Sequence, residues 1–472
     1  MSLFSRIRLS FKNAFDRIRN EEIKKNILQA VPFWIASVLT GIIAVIYSRL
    51  FLLAEGIALK VFQLNSLLLF VLTPACFILS WWIVKKFAPY AKGSGIPQVM
   101  ASIDLSSPKT SSIVDKLLGL KVIIVKVASS LIMAAGGGAI GREGPTIQIA
   151  VSVFRIVNER LPAWIPKIAK KNIIVTGAAA GLAAAFNTPL GGIVFAIEEL
   201  TKTHFSFYKT AIFSSVIIAG LTAQGLIGPY LYLGFPKISD ISILIIAPVI
   251  LVAVFSGLAG SSMSKLVLAI LKWKSKLKLT RDHLIYISAC ALIIAGIAHF
   301  LSPQIMGSGK ETIEHALFSE DKYSNWYSPI LRILGPVLSF TSGGAGGIFA
   351  PALGAGASIG SVISGWFQLS EANTNLVILT GMVGFLTGVT RSPFTSAILV
   401  LEMTDRHSVI FYLILAGMVS GLVSVLIDKR SLYDHLKHQY IDDLQEEEGS
   451  KTLKVKSSPT RKQNDTAQSK PD

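Results

Sequence analysis

Charge and cysteine are both in short supply in this sequence. Charged residues fill only 15% of its 472 positions against 51% hydrophobic ones, and the mean hydropathy is +0.58, which excludes a soluble globular protein and leaves a polytopic membrane protein. The two cysteines, Cys76 and Cys290, lie inside apolar runs with no metal-ligand spacing, so they are expected as small core hydrophobes and not as a metal centre or a disulfide. His204, close to Glu199, has no second histidine at ligand spacing, and no metal or other cofactor is expected. Acidic residues are outnumbered 28 to 45, and the resulting charge of +17 suggests nucleic acid at first sight. The basic residues sit at the ends and in loops, however. That pattern orients a membrane protein, and no nucleic-acid partner is expected.

Long apolar runs are what the sequence has instead. Residues 27–58 and 244–271 reach the ~20 residues a helix needs to cross the hydrocarbon core. Residues 189–200 do not: they make roughly 18 Å of helix, so they are expected to stop inside the protein, as the interrupted helices of transporters do. Arg6, Arg8, Lys12, Arg17, Arg19, Lys24 and Lys25 precede the first span, and Lys451, Lys454, Lys456, Arg461 and Lys462 follow the last. Both termini are therefore expected in the cytosol, with the chain in a bacterial inner (plasma) membrane. Residues 1–25 carry Leu3, Phe4, Ile7, Phe11, Phe15 and Ile18 at helical spacing and read as a basic amphipathic helix on the cytosolic lipid surface. They lack the short apolar core and cleavage site of a signal peptide, so no removal is expected. Transmembrane units at 26–235 and 236–441 follow, and the polar residues 442–472 are expected to be a disordered tail.

Gly141-Arg142-Glu143-Gly144-Pro145 ends one apolar run and begins another. Pro145 suits the first turn of a helix, because its φ is already helical and its missing N–H has no partner there anyway. The preceding loop thus lies at a helix N-terminus, where unpaired amides and a partial positive charge favour an anion. Glu143 is one. Two readings stay open: it caps the helix, or it occupies an anion site when charged and leaves when protonated.

The two halves are related. Gly177 through Pro189 to Glu198 aligns without gaps with Gly381 through Pro393 to Glu402, an offset of 204. Gly141 and Pro145 match Gly347 and Pro351 at an offset of 206, and Gly93-Ser94-Gly95 matches Gly307-Ser308-Gly309 at 214. Loop charges give each half an odd number of crossings, so the fold expected is an all-α inverted repeat of tilted and half-crossing helices with its site at the repeat interface.

In the second repeat, Gly346-Gly347-Ile348-Phe349-Ala350-Pro351 repeats the pentapeptide's geometry without the acid, and so suits a mobile anion. Ser94, two residues before Ile96-Pro97, offers a hydroxyl that coordinates a weakly hydrated halide without a fixed countercharge. Lys126 lies inside an apolar run, where an ionisable residue is expensive; it either raises the positive potential along an anion path or pairs with an acid. Arg142 is expected to bond loop carbonyls. Glu198 and Glu199 lie about 100° apart on a helix, so one faces the interior. Their repeat mate Glu402 is expected to be structural. Gly307-Ser308-Gly309-Lys310 fails as a phosphate loop, with Gln304 where the first glycine belongs and Glu311 after the lysine.

Gly93-Ser94-Gly95-Ile96-Pro97, Gly141 to Pro145 and Gly347 to Pro351 together resemble the signature set of the CLC chloride channels and chloride/proton antiporters, over nearly all of residues 26–441. The resemblance implies a homodimer with one anion pathway per subunit. It implies that Glu143 is the gating glutamate and Glu199 the internal proton-transfer glutamate, and that Ser94 and Tyr433 offer hydroxyls to chloride. It also implies that the amides of Ile348 and Phe349 line the site, with Gly95, Ile96, Gly141, Arg142, Gly144, Gly347 and Lys126 supporting the pathway. Gln98 stands where the family often has an acid. Chloride and protons are the expected substrates, and the alternatives are a passive chloride channel, a fluoride/proton antiporter and, outside the family, a membrane-embedded metal-dependent enzyme.

Overall fold

The computed structural model describes residues 20–106, 111–162, 164–201, 209–228, 231–238, 241 and 243–456. Among them no strand forms, and extended pairing is confined to two isolated bridges. The first half runs α1 (Glu21–Asn65), α2 (Leu69–Phe87), α3 (Ile96–Asp104), α4 (Ser111–Leu117), α5 (Leu120–Ala135), α6 (Glu143–Arg160), α7 (Lys170–Phe186), α8 (Pro189–Phe195) and α9 (Lys209–Ile227). The second runs α10 (Ile246–Lys274), α11 (Thr280–Phe300), α12 (Lys310–Phe318), α13 (Ser328–Ser342), α14 (Phe349–Trp366), α15 (Glu371–Thr390), α16 (Pro393–Thr404), α17 (Ile410–Ile427) and α18 (Leu432–Lys456). Several of these helices are long and apolar enough to cross a membrane, and the chain is a multi-pass membrane protein. The starts of α3, α6 and α8 recur as those of α12, α14 and α16 at the offsets 214, 206 and 204, so the sequence repeat is a repeat of helices.

Small residues hold this bundle together, because lipid tails are as apolar as leucine and close backbone packing has to bring helices together. A Cβ on Gly356 of α14 would lie 2.3 Å from the Gly381 carbonyl oxygen of α15, and one on Gly381 would lie 2.4 Å from that of Gly356. Gly177 and Gly181 of α7 meet α6 in the same way in the first half, a Cβ on Gly181 coming 2.6 Å from the Ala150 methyl.

The short helices α8 and α16 are tied by their own acids. Glu402 accepts the N–H groups of Leu190 (3.0 Å) and Gly191 (2.7 Å) at the start of α8. Glu198 accepts those of Phe394 (3.2 Å) and Thr395 (2.6 Å) at the start of α16. Every partner in one set is 204 residues from its mate in the other. Each half thus caps the other's half-helix, and a cap of this kind is worth about 0.5–2 kcal/mol.

Three boundaries differ from expectation. Residues 210–233 read in the sequence as one further span, but α9 ends at Ile227, Gly228 turns the chain at φ +96°, and Tyr232 enters the protein interior. The tail expected to be disordered from residue 442 is helical as far as it is described, since Leu436, Tyr440 and Leu444, at the four-residue spacing of one helix face, are buried and α18 continues to Lys456. Most of the expected surface helix 1–25 lies outside the described residues, and its last residues already belong to α1. Residues 457–472 and His204 also lie outside them.

The glycine contacts make a direct test. Gly356→Ala should destabilise the protein by about 1–3 kcal/mol, because backbone cannot yield to the new methyl as a side chain does. Gly225→Ala in α9, with nothing within 4 Å of its added methyl, should be neutral or stabilising by up to ~1 kcal/mol. Thermal unfolding of both variants in detergent checks the contrast, and equal melting temperatures would refute the packing argument.

Candidate functional site

Three glycine-rich loops meet at the middle of the repeat interface. Gly141 N–H donates to the Gly347 carbonyl at 2.7 Å, and Gly347 N–H donates back to Gly141 at 2.8 Å. These are the two residues that the repeat alignment pairs, so the pseudo-two-fold axis passes between them. Gly93 N–H donates to Gly344 O at 2.8 Å and Gly93 O accepts from Gly346 N–H at 3.1 Å, which adds the third loop. The N-termini of α3, α6 and α14 are thereby aimed at one small volume. Glycine is required here: a Cβ on Gly144 would lie 2.2 Å from Ser94 Oγ, and Gly95 takes φ +102°.

Glu143 is the first residue of α6 and is buried, with 1% exposure. Its Oε1 accepts the Tyr232 hydroxyl at 3.1 Å, while Oε2 lies against Gly141 and faces the Ala350 backbone at the start of α14. A carboxylate in this position is an anion tethered between two helix N-termini, where the first amides have no intrahelical acceptor. Ile348 and Phe349, both buried, open α14 at this point, and the Phe349 and Tyr232 rings pack on Phe186 at 5.4 and 5.0 Å.

Ser94 and Tyr433 arrive from opposite ends of the sequence. Ser431 accepts the Asp434 N–H at 3.0 Å as the cap of α18, which turns Tyr433 inward against Ser94. Both hydroxyls are buried and face each other, and neither has another hydrogen-bond partner among the described residues. Two such hydroxyls beside the N-terminus of α6 can coordinate an anion without binding it through a fixed charge. Gly95 and Ile96 are buried directly behind them.

Two buried cations hold the loops in shape. Lys126 Nζ donates to the carbonyls of Gly93 (2.9 Å) and Lys92 (3.5 Å), so among the described residues its partners are backbone carbonyls and not an acid. Arg332, 206 residues later, donates to Gln304, Met306 and Gly307 carbonyls at 2.7, 2.8 and 3.1 Å. Gly307 is the repeat mate of Gly93, so the two cations do the same work in the two halves. Arg142 donates to the Ser48 carbonyl at 3.1 Å, with its guanidinium 5.9 Å from the Tyr232 ring centre. Gln98 donates from Nε2 to the Lys92 and Tyr90 carbonyls and the Tyr440 hydroxyl, which an acid at this position would do only through a bound proton.

Of the paired glutamates, Glu199 is the buried one and accepts the Ser392 hydroxyl, while Glu198 caps α16. Both lie in a π-helical turn, Ala196–Thr201, which rotates them relative to a plain α-helix. Glu199 borders a cavity of about 230 Å³ lined also by Asp104, Lys171 and Lys437.

Sequence reasoning missed Tyr232, Arg332 and Glu55. Arg332 was findable by carrying Lys126 forward at the 206 offset. Tyr232 was hidden inside what read as a span, and Glu55 among the residues of α1.

Comparison with known proteins bears on the whole arrangement. The profile of the family described as voltage gated chloride channel matches residues 75–425. An H(+)/Cl(-) exchange transporter ClcA from Cronobacter sakazakii is 29% identical over 385 residues, 78% of each chain. Another ClcA, from Citrobacter koseri, is 28% identical over 422 residues, 84% of this chain and 86% of that one. Among solved structures, a slow cyanobacterial Cl-/H+ antiporter superposes with a TM-score of 0.76 at 23% identity, covering 88% of this chain and 98% of the other. A CLC-type fluoride/proton antiporter gives a TM-score of 0.71 at 21% identity, with 87% and 98% covered.

Lys126→Met should remove one charged donor from the Gly93 and Lys92 carbonyls, which keep the Gly346 N–H and the Gln98 amide, at a total cost of about 1.5–3 kcal/mol. A lower melting temperature together with weaker halide binding, followed by isothermal titration, is the expected result. Unchanged binding in a folded variant would show that the cation does not hold the Ser94 loop.

Proposed function

Because this chain belongs to the voltage gated chloride channel family, the CLC family, we propose that it exchanges chloride for protons across a membrane. The observation that carries the proposal is Glu143, a buried carboxylate tethered where the N-termini of α6 and α14 converge. Relatives named as H(+)/Cl(-) exchange transporters and a solved Cl-/H+ antiporter of the same fold support the substrates.

In this reading, chloride and the Glu143 carboxylate compete for the same amides. A charged Glu143 fills the position beside α14. Chloride, coordinated by Ser94, Tyr433 and the amides of Ile348 and Phe349, displaces it. Away from the amides and the Tyr232 hydroxyl, the carboxylate loses the donors that favour its charged form and takes up a proton more readily. Binding of one ion thus promotes binding of the other. Gly95, Ile96, Gly141, Arg142, Gly144, Gly347 and Lys126 shape and hold the loops along this path.

Glu199 supplies the other end of the proton route. Its buried carboxylate borders the cavity lined by Asp104, Lys171 and Lys437, so a proton entering there reaches a carboxylate without crossing the chloride site. The proposal places both termini and this cavity on the cytosolic side and Glu143 nearer the outer side. It also makes the protein a homodimer with one pathway in each subunit. Repeats at 26–235 and 236–441 form the pathway together, since neither half has the complete set of loops.

Proteoliposomes carrying a chloride gradient give the test. Wild type should drive protons uphill. Glu143→Gln and Glu199→Gln should each lose proton pumping while still passing chloride, because the amides and hydroxyls remain. Chloride flux without uphill proton movement in wild type would turn the reading to a passive channel, and fluoride flux exceeding chloride flux would turn it to a fluoride/proton antiporter.

Ser94→Pro should shift the anion preference from chloride toward nitrate, measured by competitive uptake in the same vesicles. An unaltered anion order in the folded variant would remove Ser94 from the coordination shell.

A further inference from the structure

The loop Gly307-Ser308-Gly309 plays no part in the mechanism above, yet it copies the Ser94 loop closely. Gly93 and Gly95 take φ +63° and +102°, and Gly307 and Gly309 take +71° and +92°. Each loop leads into a nine-residue helix, α3 or α12, and each has a carbonyl held by a buried cation, Lys126 or Arg332. A backbone shaped this way in the first half presents Ser94 to an anion. In the second half the loop already has an anionic partner: Glu55, from the middle of α1, accepts the Ser308 N–H at 2.7 Å.

The surroundings are those of an anion site. Glu55, Ser308, Gly309, Lys310, Gln304 and Arg332 line a cavity of about 420 Å³. Arg332 is 1% exposed, and its Nε has no hydrogen-bond acceptor among the described residues. That guanidinium lies directly against Gly309, where an added Cβ would be 3.3 Å from Nε, so the unmatched donor sits at the head of α12. A buried guanidinium, the amides of a helix N-terminus and room for an ion converge on one carboxylate.

We infer that the start of α12 is a second anion site, for a small monovalent anion such as a halide, which Glu55 occupies as a tethered carboxylate and yields when it is protonated or removed. The inference rests on the anion-transport reading and extends it: the Glu143 arrangement, a carboxylate competing with a free anion at a helix N-terminus, occurs twice. The charged and titratable groups that line the cavity or interact with Glu55 are Lys310, Glu311, Glu314 and His315 of α12, Arg332 of α13, Arg142 just before α6, Glu143 of α6, Tyr232 after α9 and Tyr47 of α1. The site lies within electrostatic reach of Arg142 and Glu143.

Anomalous scattering from bromide-soaked crystals of the full chain tests this. Bromide should appear within hydrogen-bond reach of Ser308 N–H in Glu55→Ala, and in wild type at about pH 4, where carboxylates begin to take up protons. Wild type at neutral pH should show it only at the central position between Ser94 and Phe349, which serves as the internal standard. Should Glu55→Ala fail to fold, wild type at the two pH values decides. Bromide at the central position but never at Ser308 overturns this inference and leaves the transport reading standing. Bromide at neither position overturns both.

Discussion

The reciprocal pair of backbone hydrogen bonds between Gly141 and Gly347 is the constraint on which the site depends. A helix N-terminus is a weak attractor of anions when water screens it, and a strong one when several converge in a buried volume. Convergence needs loops that approach within hydrogen-bonding distance, and side chains would prevent it. The glycines around Gly141, Gly144 and Gly347 are therefore a condition of the chemistry. With the pair in place, α6 and α14 start from one point, and the Glu143 side chain reaches from the first turn of α6 to the start of α14.

Symmetry supplies the rest of the framework economically. Glu198 and Glu402 cap each other's half-helices, Lys126 and Arg332 hold equivalent loop carbonyls, and Gly177 and Gly381 pack equivalent helix pairs. Function enters where the symmetry is broken. Glu143 has Phe349 as its mate, so only one half brings a carboxylate to the point where the two helices start, and in the proposed mechanism the other half's amides take the mobile anion. Ser94 faces Tyr433, whereas Ser308 faces Glu55. Glu199 has Met403 as its mate, which confines the internal carboxylate to one half. A protein built of two copies acquires a direction for protons only through such differences.

Three buried cations are handled the same way. Lys126, Arg332 and Lys274 are held by backbone carbonyls, Lys274 by those of Thr341 and Ser342 at 2.6 and 2.7 Å. Carbonyl dipoles satisfy the donors of a cation without cancelling its charge, so the positive potential along the loops survives, whereas a carboxylate partner would neutralise it. These three basic side chains thus keep their charge while their hydrogen bonds go to backbone carbonyls.

The sequence alone determined a good deal: the membrane class from its scarcity of charge, the repeat from three motifs in one order, and the loops of Ser94, Glu143 and Gly347 as starts of helices. Those properties are local. A helix start with proline and glycine announces its unpaired amides whatever surrounds it, and a repeat leaves its register in the residues. What only the tertiary structure decided was which distant groups face each other. Tyr232 read as part of a span because nothing nearby shows that Gly228 turns the chain inward toward Glu143. Adjacent glutamates Glu198 and Glu199 were separable into exposed and buried but not into cap and site, since the cap's partner is almost two hundred residues away. Glu55 was one polar residue on a long apolar helix, and its meaning came only from the amide of Ser308. Hydrogen-bond partners in a bundle are set by how helices cross, and helix crossings are fixed by packing summed over the whole chain, which no single stretch of it contains.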